Sequence, residues 1–146
     1  MPQFGRPSLD TLLGSYTNQG GGVTDIYLTI DETTADDADF IRSVSAPAAA
    51  VYVTKYGTME DPLSSTDHVF RNRYAKDTSG GSQIDAVFQL RQNYVNEGAQ
   101  GLLIASRSFT SISETFTTDV YPLSATEADM ISDYTALFLR AIFTQV

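Results

Sequence analysis

A single histidine, His68, and the absence of cysteine limit the nucleophile and metal chemistry open to this chain. A Ser-His-Asp relay needs a hydroxyl within reach of an imidazole that a third group orients. Asp67 adjoins His68 and serines are plentiful, but no G-x-S-x-G elbow presents one of them. His68 is therefore read as a structural or pH-sensitive residue at the head of a strand. One His without Cys cannot fill a tetrahedral nitrogen and sulfur zinc site. Gly20-Gly21-Gly22 and Gly80-Gly81 lack the Lys-Ser/Thr of a phosphate loop and read as turns. No two acids are placed across a cleft for glycoside hydrolysis.

The metal candidate is an acidic stretch. Asp31, Asp36, Asp37 and Asp39, with Glu32 among them, form an oxygen-rich loop of the kind that holds Ca²⁺. Their spacing has neither the central Gly nor the terminal Glu of an EF-hand, and a solvated charge run is the plainer reading. The chain is expected to carry no cofactor and not to be an enzyme.

Binding chemistry is better represented. Seven of the nine basic residues are arginines, whose planar fork suits interfacial ion pairs. Tyr16, Tyr27, Tyr52, Tyr56, Tyr94 and Tyr121 offer flat rings for a sugar-stacking platform, the basis of an alternative reading as a carbohydrate-binding module. Eighteen acidic residues leave a net charge of −9, which repels phosphate backbones, so no nucleic-acid partner is expected. No segment approaches the roughly 20 apolar residues of a membrane span, and no membrane partner is expected. The first residues lack the basic start and apolar run of a secretory signal, so synthesis in the cytoplasm without export is expected.

These side chains need elements to hold them. Residues 1–10, with two prolines and a glycine, read as an extended N-terminal arm, and 11–146 as a single domain. Strands are predicted at Thr11–Thr17, Ile26–Ile30, Phe40–Ser43, Ala49–Tyr56 and His68–Lys76, then at Ile84–Arg91, Leu102–Thr110, Phe116–Tyr121 and Leu137–Thr144. Phe70, Asn72 and Tyr74 alternate with Arg71 and Arg73, and Ile84, Ala86, Phe88 and Leu90 alternate with Asp85, Val87, Gln89 and Arg91. This period of two describes strands with one buried face. A turn at Asp77-Thr78-Ser79-Gly80-Gly81 would pair these two strands. Arg71, Arg73 and Arg91 would then share an outward face, with Asp85 as a partner. Ser124 and Glu127 spell a capping box opening a short helix that runs to about Ile131. The predicted fold is all-β: an antiparallel β-sandwich, jelly-roll-like, with one short helix before the last strand.

Several segments carry a resemblance: Gly5-Arg6-Pro7-Ser8, Tyr27 to Glu32, Asp37 to Ser43, His68 to Tyr74, Leu90-Arg91-Gln92 and Leu123 to Tyr134. Together they resemble the small β-sandwich structural proteins of tailed bacteriophages, most of all capsid decoration (cement) proteins. The resemblance implies a virion component on the outer capsid surface that binds the major capsid protein and stabilises the head, with a tail or fibre component as the alternative. It also implies a homo-oligomer, a dimer or trimer. The expected contacts are Phe4 and Arg6 in the arm and the Arg71, Arg73 and Arg91 face.

Overall fold

The computed structural model describes residues 3–78 and 82–146. Nine strands and one short α-helix are present among them, and every strand pairing is antiparallel. The strands are β1 (Pro7–Leu12), β2 (Thr17–Asn18), β3 (Ile41–Arg42), β4 (Ala50–Tyr56), β5 (Val69–Tyr74), β6 (Ile84–Gln92), β7 (Leu102–Phe109), β8 (Thr117–Pro122) and β9 (Leu137–Gln145). The helix α1 (Ala125–Asp129) precedes the last strand, and the all-β antiparallel sandwich expected from the alternation is the observed fold.

The floor of the sandwich is a five-stranded sheet in the order β1-β4-β9-β6-β7. Its centre is β9, apolar on both faces because both are covered. Leu137 and Ala141 join Phe88 and Leu90 of β6 in the main core under the roof, while Phe138 packs with Val53 and Tyr94 on the opposite side. Burying each of the Leu and Phe side chains contributes about 1.5–3 kcal/mol.

The roof is split into two ribbons. The β5-β8 ribbon lays Phe70 and Tyr74 onto Phe88, Leu90 and Ala141, and Ile131, just after α1, joins the same core. The β2-β3 ribbon covers the other end of the same face, where Tyr16, Ile26 and Ile41 pack on Tyr52. Register places Tyr52 opposite Ala141, and Phe143 opposite Ala86, so both ribbons sit over one face of the floor.

Several sequence expectations are corrected. Ile26–Thr29 is a 3-10 turn, not a strand. The Asp10 carboxylate of β1 accepts the amides of Ile26 (2.7 Å) and Tyr27 (3.0 Å) and the Tyr52 hydroxyl (2.6 Å). A carboxylate from sixteen residues upstream thus fills the capping role at the start of this turn, and that satisfaction outweighs the strand propensity of the segment. The expected arm is strand from Pro7 onward, pairing with β4. The expected Thr11–Thr17 strand breaks after Leu12. Gly14 there has φ +55°, and a Cβ on it would stand 2.2 Å from the Val51 carbonyl oxygen.

The expected pairing of the strands at 69–74 and 84–92 does not form. β5 pairs with β8 in the roof, whereas β6 lies in the floor between β7 and β9. Alternation fixes which face of a strand is buried, not which strand lies beside it. Residues 79–81 of the expected turn lie outside the described residues.

Candidate interface cleft

Between the two roof ribbons lies a cleft of about 2020 Å³, lined by residues of both ribbons and of the floor. Small-molecule sites occupy about 300–1,000 Å³, so this one is of macromolecular size. Half-buried Tyr56, Leu139 and Phe143 form its floor, and β5 forms one long wall.

Each end of the cleft is fixed by named contacts. At one end the loop after the 3-10 turn is tied to the β5-β8 ribbon by Arg73. Its Nε and Nη2 each lie 2.6 Å from an Asp37 carboxylate oxygen, and Nη1 donates to Thr118 Oγ1 at 2.7 Å. The guanidinium also stands 5.4 Å from the centre of the Phe116 ring, which itself meets Phe40 at 6.2 Å. Arg73 therefore holds the Asp37 carboxyl below the usual carboxylate range.

At the other end lie the N-terminal residues and His68. Gln3 exchanges two hydrogen bonds with the Glu60 backbone, at 3.0 and 2.7 Å, and the Arg6 carbonyl accepts from the Gly57 amide at 2.7 Å. The expected arm is thus anchored along residues 57–60, and it holds Phe4 with 65% of its surface exposed at the cleft. His68 Nδ1 lies 3.1 Å from the Thr66 carbonyl and Nε2 lies 2.7 Å from the Tyr134 hydroxyl. A carbonyl only accepts, so Nδ1 carries a proton, and in the neutral ring Nε2 accepts from Tyr134. The serine and carboxylate of a relay are not its partners, since Asp67 is hydrogen-bonded to Thr66 instead.

Of the residues singled out in the sequence, Phe4, Arg6, Arg71 and Arg73 come together around this cleft. Arg91 does not. It lies on the outer face of the floor, only 9% exposed, donating to Gln89 Oε1 (2.8 Å) and the Gln100 carbonyl (3.3 Å). Burial and the neighbouring Arg140 both push its pKa down. Asp85, expected as a partner of the arginines, accepts instead from the Ser111 amide at 2.8 Å and from Gln83 at 3.0 Å.

Arg42 was not foreseen. It occupies β3 and lines the cleft with Arg6 and Arg71. Every other arginine is engaged: Arg73 by Asp37, Arg107 by Asp119, Arg140 by Glu97 and Arg91 by Gln89. The side chains of Arg6, Arg42 and Arg71 make no hydrogen bond or ion pair among the described residues. The nearby acids are mostly in use. Asp36 accepts from the Ala38 amide at 2.9 Å and Asp39 from Gln19 at 2.7 Å.

Asp31, Asp36, Asp37 and Asp39 form the acidic stretch that was the calcium candidate. Among the described residues no group of three or more His, Asp or Glu is placed to hold a metal ion. Of the six tyrosines of the alternative stacking platform, Tyr16, Tyr52 and Tyr94 are buried in two different clusters, and Tyr121 is covered by Arg107 at 4.6 Å from its ring centre. Burial pushes the hydroxyls of Tyr16 and Tyr52 above the usual phenol range.

No family model, curated protein or solved structure matches this chain.

Proposed function

We propose that this chain is a docking module of an assembled particle, and that the cleft between its roof ribbons is the docking surface. The observation that carries this reading is the set of three unpaired guanidiniums, Arg6, Arg42 and Arg71, around one apolar floor in a chain of net charge −9. Free arginines beside half-buried apolar surface suit an interface, where desolvation strengthens a guanidinium's pairing with an incoming carboxylate. Phe4, held in place by the Gln3 and Arg6 contacts, adds a rigid aromatic anchor.

The resemblance to phage structural proteins supplies the setting. In this reading the chain is a capsid decoration protein that seats on the major capsid protein at the virion surface. Repetition over a symmetric shell would turn many modest contacts into firm attachment. The carbohydrate alternative has less to support it, because Tyr16 and Tyr52, which reach the cleft lining, present almost no exposed ring face.

The test is co-sedimentation with particles produced from the genome that encodes this chain. The expected result is a copy number matching the repeating shell subunits. Arg71→Glu and Phe4→Ser are expected to abolish attachment without changing the fold. A chain absent from the particles, or variants that attach as well as the parent, would overturn the proposal.

A further inference from the structure

Among the described residues β5 has a ladder to β8 on one side only, and its other edge borders the cleft. A strand's unpaired edge beside an apolar floor is a template for another strand.

A second observation points the same way. Asn72 sits in the middle of β5, between Phe70 and Tyr74, and is only 5% exposed. Its Nδ2 is one of two buried side-chain polar atoms among the described residues without a hydrogen-bond partner; the other, Thr11 Oγ1, belongs to β1 and does not line the cleft. A buried amide donor left unmet costs about 1–3 kcal/mol. An acceptor brought into the cleft would recover it, and a backbone carbonyl is the acceptor an extended chain supplies.

The arginines define the side chains of that occupant. Arg71 projects from β5 on the outward face, opposite in sense to Asn72. A residue beside it on an added strand would be its cross-strand neighbour, and opposite charges there stabilise. The neighbouring Arg73 is already taken by Asp37, so Arg71, Arg6 and Arg42 remain for the incomer.

Resting on the docking function proposed above, we infer that the cleft receives an extended segment of the partner protein, added as a strand along β5. Its inward residues are apolar and lie on Tyr56, Leu139 and Phe143. Its outward residues include Asp or Glu facing Arg71, and one of its carbonyls accepts from Asn72 Nδ2. The six residues of β5 set its length at about six residues, about 20 Å.

The test uses the full chain and a displayed library of random decapeptides. Enriched peptides are expected to alternate apolar residues with Asp or Glu, and to move the backbone amide signals of Val69–Tyr74. N-methylation of alternate amides on the pairing edge should weaken binding at least about tenfold, because it deletes strand hydrogen bonds. Asn72→Leu should weaken it about fivefold, and yet melt about 3 °C higher, since it removes an unmet buried donor. Arg71→Glu, an exposed change, should lose the acidic preference. Enrichment without alternation, indifference to N-methylation, or no enrichment over the Arg71→Glu chain would each overturn the strand. If particles still bind the parent chain and not its cleft variants while peptides fail, strand addition is wrong and the docking function stands. If particle binding fails as well, both fall.

Discussion

Replacing Glu97 with Gln probes a buried network on the outer face of the floor. The Glu97 carboxylate takes the Nε of Arg140 (2.9 Å), its Nη2, and the Tyr94 hydroxyl (2.9 Å). Gln89 Oε1 bridges Arg140 (3.2 Å) to Arg91 (2.8 Å), so two guanidiniums, each 9% exposed, depend on one carboxylate. Removing one partner of a buried pair costs about 3–5 kcal/mol. The Glu97 side chain is 39% exposed, so water screens part of this and about 2–3 kcal/mol is expected. For a chain of this size that lowers Tm by about 6–9 °C. Urea titration followed by circular dichroism measures it directly. The pH dependence gives a second reading. Arg140 holds the Glu97 carboxyl below its ordinary value of 4.5 against the opposing effect of burial. A depressed folded pKa means the stabilisation is complete above the unfolded value and is lost as pH falls through the lower folded one. The gap between parent and Glu97→Gln should therefore be widest near neutral pH and shrink below about pH 4.5. Adding Arg140→Met to Glu97→Gln should recover stability by relieving the repulsion with Arg91. A loss under about 0.5 kcal/mol, independent of pH, would reduce the network to an ordinary surface pair and refute the reasoning.

Two further substitutions test local claims. Gly101→Ala should cost more than about 2 kcal/mol by chemical denaturation, because φ is +67° and the new Cβ would stand 2.1 Å from the Gln92 carbonyl oxygen. Ser124→Ala should cost about 1 kcal/mol and lower Tm by about 3 °C, since it deletes the hydroxyl that accepts the Glu127 amide at 3.2 Å in the capping box.

The sequence carried the strands wherever one face is apolar. Phe70, Asn72 and Tyr74 are buried with Val69, Arg71 and Arg73 exposed, as their alternation requires. The capping box is equally local, and it forms as Ser124 and Glu127 spell it. What failed was long-range. The bond from Asp10 to the amides of Ile26 and Tyr27 turns a strand-like segment into a 3-10 turn, and nothing within that segment encodes it. Arg91 reads like Arg71, an arginine alternating with apolar neighbours. Its strand is central in the floor, and the residues after it, Tyr94 and Glu97, fold back over that outer face. Position in the sheet order decided its fate, and period-two patterning does not contain sheet order. The cleft drew on both kinds of information. Arg6 and Arg71 were visible as candidate contacts, but Arg42 joins them only because β3 and β5 belong to separate ribbons that line one cleft.

The central claim is that this molecule docks through the gap in its roof. Hydrogen–deuterium exchange on the chain, free and attached to particles, tests it most directly. Protection on attachment should concentrate in β5, in β3 and in residues 3–7. Protection centred instead on the outer face, around Tyr94, Glu97 and Arg140, with β5 exchanging as in the free chain, would contradict it.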